Sequence, residues 1–205
     1  PYIDPIGVHT YVHSIIKKIE VNDSEERFQG LGIRVLRSPA YFIDKKTVAA
    51  GDYHITAKRF VIATGSSPYI PPISGLDKVP YLTNETLFDL SVLPPHLLVI
   101  GGGPVGLEMA QAYCRLGSRV TLFEAGKVLS KDDPELALRL ATLIRGEGVD
   151  IREQARVENV EQTVAGLVVH VRSGENLSAV AGTHLLVATG RRPNVSDLNL
   201  REAGV

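Results

Sequence analysis

Three glycines and one glutamate carry the spacing with the most chemical content in this 205-residue chain. Gly101, Gly103 and Gly106 fit G-x-G-x-x-G, and Glu124 closes the next apolar run. A first glycine permits a tight turn, a second lets a pyrophosphate approach the backbone, and a third lets a helix pack close on a strand. The phosphates would rest on the free N–H groups and positive dipole end of a helix. That helix opens near Pro104, and proline suits its first turn because the missing N–H costs nothing there. Glu124 can accept hydrogen bonds from the adenosine ribose hydroxyls of a dinucleotide.

The motif means this only if the surrounding elements position it. Leu97–Ile100 is a short apolar run suited to a fully buried parallel strand. Gly117 is expected to stop the helix, and Arg119–Phe123 to form a second strand with Glu124 at its end. In that setting the motif reads as dinucleotide binding; the competing reading is a glycine-rich strand–helix turn of some other α/β protein. A carboxylate at 124 repels a 2′-phosphate, and Ala125, Gly126 and Lys127 bring no arginine, so NAD(H) is favoured over NADP(H). Lys127 is the residue that could reach a 2′-phosphate; its alternative role is a solvated loop lysine.

The rest of the chain reads as supporting elements. Apolar residues at 8, 12, 15, 16 and 19 predict a helix over Val8–Ile19. Asp23 or Ser24 would cap a short second helix ending near Phe28. Strands are expected at Ile33–Leu36, Ala40–Ile43, Thr47–Ala49, Tyr53–Thr56 and Arg59–Ala63. Pro68, Pro71, Pro72 and Gly75 make a stiff connection, with a domain boundary near Asp77–Tyr81. A short helix is expected at Glu85–Leu90. Asp132 or Asp133 with Pro134 should start another, with Leu136, Leu140 and Leu143 on one face. Val149–Arg152 is a third strand of the nucleotide fold. Arg156–Glu161, Leu167–Arg172 and Leu177–Val180 form a β-meander, and His184–Ala188 returns as a strand. Arg59–Ser66 and His184–Arg191 share an apolar run followed by Ala-Thr-Gly. Glycine at such a strand end lets a ligand approach the backbone, and chance repetition is the alternative.

Composition limits the partners. The net charge of -1 gives no electrostatic case for nucleic acid or an anionic membrane. No apolar run approaches the ~20 residues that span a bilayer, and no targeting pattern opens the chain. The single cysteine, Cys114, excludes an internal disulfide and a C-x-x-C, and reads as a small buried core residue. No histidine pair has a metal-ligand setting, so no metal site is expected. A cytoplasmic location is expected.

Four segments together resemble the FAD-dependent pyridine nucleotide–disulfide oxidoreductases, the group of dihydrolipoamide dehydrogenase, glutathione reductase and mercuric reductase. They are residues 26–42 (ERFQGLGIRVLRSPAYF), 60–76 (FVIATGSSPYIPPISGL), 97–124 (LLVIGGGPVGLEMAQAYCRLGSRVTLFE) and 185–205 (LLVATGRRPNVSDLNLREAGV). They occur in the family's order and spacing. The resemblance implies an α/β fold, a Rossmann-like NAD-binding domain (parallel sheet plus β-meander) joined to part of an FAD-binding domain. Residues 1–81 would be the second half of the FAD domain, 82–190 the NAD(P)-binding domain, and 191–205 the return into the FAD domain. It further implies that Gly101, Gly102, Gly103, Pro104, Val105, Gly106, Leu107, Glu108, Glu124, Val157 and Gly190 line NAD. Ala40, Thr64, Gly65 and Ser66 would border FAD. Glu108 would support the flavin side by pairing with a lysine; its alternative is a helix-surface glutamate.

The family's own FAD-binding G-x-G-x-x-G, its redox C-x-x-x-x-C and its catalytic histidine–glutamate pair have no counterpart in these residues. The chain is therefore expected to be an internal fragment. Its parent would be an enzyme that passes hydride from NAD(P)H to FAD and on to a disulfide or related acceptor, a homodimer through a C-terminal domain. The fragment alone is expected to bind NAD(H) weakly and FAD poorly, without dithiol chemistry. Gly106 and Glu124 fit the dihydrolipoamide dehydrogenase type, while the early segment and the GRRPN return look closer to mercuric reductases. A stand-alone dinucleotide-binding module or sensor is the non-catalytic alternative.

Overall fold

A computed structural model describes residues 3–205. In chain order the elements begin with helices α1 (Pro5–Glu20) and α2 (Glu25–Gly30), then strands β1 (Ala40–Asp44), β2 (Thr47–Ala50), β3 (Tyr53–Thr56) and β4 (Ser66–Pro68). Next come β5 (His96–Ile100), α3 (Pro104–Leu116), β6 (Arg119–Phe123), α4 (Pro134–Gly146) and β7 (Asp150–Arg152). The chain continues through β8 (Arg156–Thr163), β9 (Gly166–Ser173), β10 (Asn176–Gly182) and β11 (His184–Val187) to β12 (Arg191–Pro193) and α5 (Leu200–Ala203). Two compact units result: Pro68–Gly190 with the chain up to His13, and Ser14–Ser67 with Arg191–Val205.

The first unit is built on a four-stranded sheet of order β11-β5-β6-β7, parallel throughout. Its strands read as continuous apolar runs because both faces are covered. Alternation sorts them. Leu97 and Val99 of β5 face a cluster that includes Leu107 and Ala110 of α3 and Ala141 and Ile144 of α4. Leu98 and Ile100 face a second cluster with Val160, Val169 and Val180 of the antiparallel meander β10-β9-β8. The sheet is thus the middle of three layers. The stretch after Pro68 is tied to the same unit: Val160 N–H donates to Ser74 O (2.9 Å) and Leu82 N–H to Leu185 O (2.7 Å).

Helix ends follow their sequence signals. Asp133 accepts from the N–H groups of Glu135 and Leu136, both at 3.0 Å, and Pro134 takes the first turn of α4. Gly117 ends α3 in the left-handed region at φ 106°. Ser24, rather than Asp23, caps α2 by accepting from Arg27 N–H at 3.3 Å.

Three local expectations are corrected. Ile33–Leu36 is not a strand: Ile33 N–H turns back to Phe28 O at 3.0 Å. Arg59–Ala63 forms no strand: no neighbouring strand among the described residues supplies a ladder. The predicted helix at Glu85–Leu90 shrinks to one 3₁₀ turn, Leu87–Asp89. There the Thr83 hydroxyl accepts from Glu85 N–H (3.2 Å) and the Thr86 hydroxyl from Thr83 N–H (3.0 Å), which closes a tight turn. Leu136, Leu140 and Leu143 share one face of α4, as expected; that face is the outer one, and Ala137, Ala141 and Ile144 are the buried residues. Small side chains let the helix lie close to the sheet.

The second unit holds the three-stranded antiparallel sheet β1-β2-β3. Phe42 in β1 and Ala49 and Ala50 in β2 are its buried residues, and Phe60 meets Phe42 edge-on at 5.2 Å. β12 pairs with β4. No helix among the described residues is long and apolar enough to cross a membrane.

Candidate functional site

The strand order places the switch in chain direction between β5 and β11, and ligands of open α/β sheets sit at the carboxyl ends of such strands. The glycine turn lies there. Gly101 adopts φ 112°, a region that L side chains rarely enter. Its N–H donates to Phe123 O at 2.9 Å. A Cβ on Gly106 would fall 2.0 Å from Gly101 O, so α3 can approach β5 only without a side chain at that position. Gly102 is filled from the other side: its Cβ would meet Val128 at 2.7 Å and Glu124 at 2.9 Å. Gly103 is different. It caps the N-terminus of α3, and a Cβ there would meet nothing within 4 Å. Packing therefore accounts for three of the four glycine-turn residues and leaves open space in front of the one assigned to phosphate.

Glu124 is half-buried at the tip of β6. Its carboxylate accepts from Gly102 N–H (2.7 Å) and Gly126 N–H (2.8 Å), one bond to each oxygen. It thereby ties the glycine turn to the loop after β6, a role its spacing alone did not reveal. A carboxylate has about four acceptor positions, so capacity for ribose hydroxyls remains. A cleft of about 640 Å³ opens beside it, lined by Gly101, Glu124 and Val157 together with Ile100, Arg156 and Thr189. That size is within the range of about 300–1,000 Å³ typical of ligand pockets.

The other predicted positions spread outward. Pro104 and Val105 expose the first turn of α3, while Leu107 is buried in the core. Leu107 N–H is taken by Gly103 O at 3.1 Å. Glu108 is exposed on α3, and Gly190 is exposed just past the cleft-lining Thr189. In the second unit Ala40, Thr64 and Gly65 are exposed and Ser66 is half-buried. Two residues not singled out from sequence hold that loop. Asn194 donates from its side chain to Thr64 O (3.1 Å) and from its backbone to Gly65 O (3.0 Å). Arg191 donates to the Ser66 hydroxyl at 2.7 Å and to Ser66 O. Their signal was the polar run directly after the second Ala-Thr-Gly.

Lys127 does not line the cleft. It lies by a separate cavity with Arg145 and Glu153. Burial pushes the Glu153 carboxyl up, but Arg145, the Val128 N–H and Lys127 outweigh it and hold the group below its usual range. Glu153 accepts from Val128 N–H at 2.9 Å and from Arg145 at 2.7 Å, so it pins the same loop as Glu124.

Cys114 is half-buried rather than buried; its thiol donates to Glu147 O at 3.4 Å. Burial, then the nearby Glu147 charge, pushes its pKa up, which makes it a poor nucleophile. Among the described residues no cluster of three or more His, Cys, Asp or Glu is placed to hold a metal. The histidines pair locally. His96 meets the buried Thr121 hydroxyl at 3.0 Å, His184 the Thr183 hydroxyl at 3.1 Å, and His13 Phe88 O at 3.2 Å.

Comparison with known proteins identifies the family. The family described as pyridine nucleotide-disulphide oxidoreductase matches residues 6–205. A mercuric reductase of Lysinibacillus sphaericus is 40% identical over 172 residues, covering 83% of this chain and 32% of the relative. One of Streptomyces lividans is 40% identical over 155 residues, covering 76% and 33%. The chain thus spans about a third of the length of the curated relatives it matches. Among solved structures, LpdA of Mycobacterium tuberculosis superimposes with a TM-score of 0.82 at 30% identity, covering 100% of this chain and 46% of that one. The HOCl-induced flavoprotein disulfide reductase RclA of Escherichia coli gives 0.77 at 30% identity, covering 98% and 48%. With a family match over nearly its whole length and an α/β fold to accord with it, the chain belongs to the pyridine nucleotide-disulphide oxidoreductases.

Proposed function

We propose that the Pro68–Gly190 unit binds a nicotinamide dinucleotide across the carboxyl ends of β5, β6 and β11. The carrying observation is the contrast within the glycine turn: packing fills the space at Gly101, Gly102 and Gly106 and leaves it open at Gly103. The N–H groups of the first α3 turn would hold the pyrophosphate. Glu124 would accept from the adenosine ribose, and Val157 would offer an apolar wall. Val105, Glu108 and Gly190 would lie toward the nicotinamide half. The fit favours NAD(H) over NADP(H), because the half-buried carboxylate at 124 repels a 2′-phosphate.

The whole protein is proposed to be a flavoprotein oxidoreductase. When bound, the nicotinamide would supply a hydride for FAD to accept, with a disulfide or related acceptor as the final electron acceptor. This chain's residues bind and orient. Ala40 and Thr64–Ser66, fixed by Arg191 and Asn194, would present backbone to FAD, and Glu108 would support the flavin side.

Calorimetric titration of the chain with NADH tests the core of this reading. Gly103→Val is expected to abolish binding while leaving the thermal midpoint unchanged, since the new side chain enters open space. Glu124→Ala is expected to weaken NADH about tenfold, as loss of a charge-assisted hydrogen bond does. Full affinity in Gly103→Val would remove the phosphate assignment.

A further inference from the structure

One cation of the cleft is not used by the dinucleotide reading, on which the following inference rests. Arg156 begins β8 and lines the same cleft as Glu124 and Ala125. Ala155 N–H donates to Glu124 O at 2.9 Å, which brings the start of β8 alongside the end of β6. Ala155 and Val157 are buried on either side of an exposed Arg156, so strand alternation turns the arginine outward.

The charges around it are unbalanced. Arg156 stands directly opposite Arg172 in the β8–β9 ladder, and like charges so placed repel. The register shifts between Val157 and Asn159, a bulge that leaves Glu158 as the extra residue. Bulges re-aim side chains in this way. Glu158 faces Arg172 and accepts both its Nε and one terminal nitrogen, the latter at 3.0 Å. Arg172 holds the Glu158 carboxyl below its usual range, with a smaller contribution from Arg156. Two guanidinium groups therefore share one carboxylate, and that carboxylate is bidentate on Arg172. Arg156 forms no hydrogen bond or ion pair among the described residues. Lys127, the cation that spacing alone singled out, faces Glu153 instead.

We propose that Arg156 receives the 2′-phosphate of NADP(H), so that the cleft accepts the phosphorylated dinucleotide alongside NAD(H) in spite of Glu124. Glu124 sets the preference for NAD(H), and Arg156 narrows it. Arg172 acts as a positioning residue: by clamping Glu158 it keeps the neighbouring carboxylate from capturing Arg156.

The test is calorimetric titration of the chain and its Arg156→Gln and Arg172→Gln variants with NADPH and NADH, and with the half-molecules 2′,5′-ADP and 5′-AMP. Wild type is expected to bind NADH more tightly than NADPH but to bind both. Arg156→Gln is expected to weaken NADPH and 2′,5′-ADP about tenfold, with NADH and 5′-AMP within about twofold of wild type, as loss of a charge-assisted phosphate contact does. Arg172→Gln keeps Arg156 but frees Glu158, and should move NADPH in the same direction by less. Equal weakening of both nucleotides would overturn the proposal, since Arg156 would then serve adenine or ribose. So would an unchanged ratio, or a wild type that binds NADH and refuses NADPH. Failure of wild type to bind either nucleotide would instead strike the dinucleotide reading itself, and this proposal with it.

Discussion

The chain contains an apolar run followed by Ala-Thr-Gly twice, and the two copies form different structures. In residues 184–191 the apolar run is β11, hydrogen-bonded in parallel register to β5, with Leu185, Leu186 and Val187 between 0% and 2% exposed. In residues 59–66 the aligned apolar run has no ladder; Val61 is 90% exposed and Ile62 40%. Composition and β-propensity are alike in the two. The difference is the partner: β5 offers His184–Val187 a ladder on one side and two apolar layers around it. Strand propensity is mostly fit to a half-buried surface rather than a backbone preference. The repeated Thr-Gly ending survives both settings, and it is the part assigned to cofactor contact.

The strongest way to break this comparison is to truncate the aligned residues. Leu186→Ala, at 0% exposure, should cost about 2–5 kcal/mol through lost transfer energy and a cavity. Val61→Ala occupies the matching position in the other copy and should stay within about 0.5 kcal/mol, as exposed substitutions do. Native-state hydrogen exchange reads the two units separately. Equal loss of protection in both variants would show that the two runs are held alike.

What was legible in the sequence follows the same division. Every strand of the parallel sheet and the meander was readable from residues, because each buries two faces or alternates cleanly inside one unit. Arg59–Ala63 and Ile33–Leu36 carry equally good local signals, but a signal for strand does not say whether a neighbour is there to pair with it. The tight turn at Gly101 and the close helix–strand approach at Gly106 were legible in the spacing, since both requirements are steric and local. The second role of Glu124, tying Gly102 to Gly126, was not, because it depends on where a loop folds back. Arg156 was missed for a related reason: backbone bonds such as that from Ala155 to Glu124, which spacing does not reveal, bring it to the cleft. On α4 the shared face of Leu136, Leu140 and Leu143 was legible from the period, but which face is buried was not, because close helix–sheet packing puts Ala137 and Ala141 inward rather than the larger leucines.

A smaller effect sharpens the comparison at the Thr-Gly endings. Thr64 and Gly65 lie outside any strand, and Thr64–Ser66 is held by Asn194 and Arg191. Thr189 instead donates its hydroxyl to Tyr69 O at 2.8 Å within its own unit. Asn194→Ala removes the side-chain bond to Thr64 O and the one it accepts from the Ser67 hydroxyl at 2.9 Å. The expected cost is about 1 kcal/mol, the net worth of such a bond. It should appear as faster amide exchange confined to residues 64–67, with residues 187–190 unchanged. Matching acceleration in both loops would mean that Asn194 supports the chain generally rather than this ending.

The smallest expected effect concerns the first residue of each copy, His184 against Arg59. Arg59 is exposed. His184 and its neighbour strand's His96 have pKa values lowered from 6.5, His184 by burial and His96 by burial and then by the Arg119 charge. Folding therefore favours their neutral forms. Below the unfolded value of 6.5 the unfolded chain binds more protons than the folded one, so stability rises with pH in that window. It is fully present above that value and is lost as pH falls toward the folded pKa. The sheet unit should accordingly lose exchange protection between about pH 7.5 and pH 5, and a His96→Asn, His184→Asn double variant should lose less over the same interval. Neither histidine's titration should alter exchange at Val61 or Ile62, which have no ladder to lose. An equal fall in the double variant would assign the acid sensitivity elsewhere and leave the contrast between the two copies resting on burial alone.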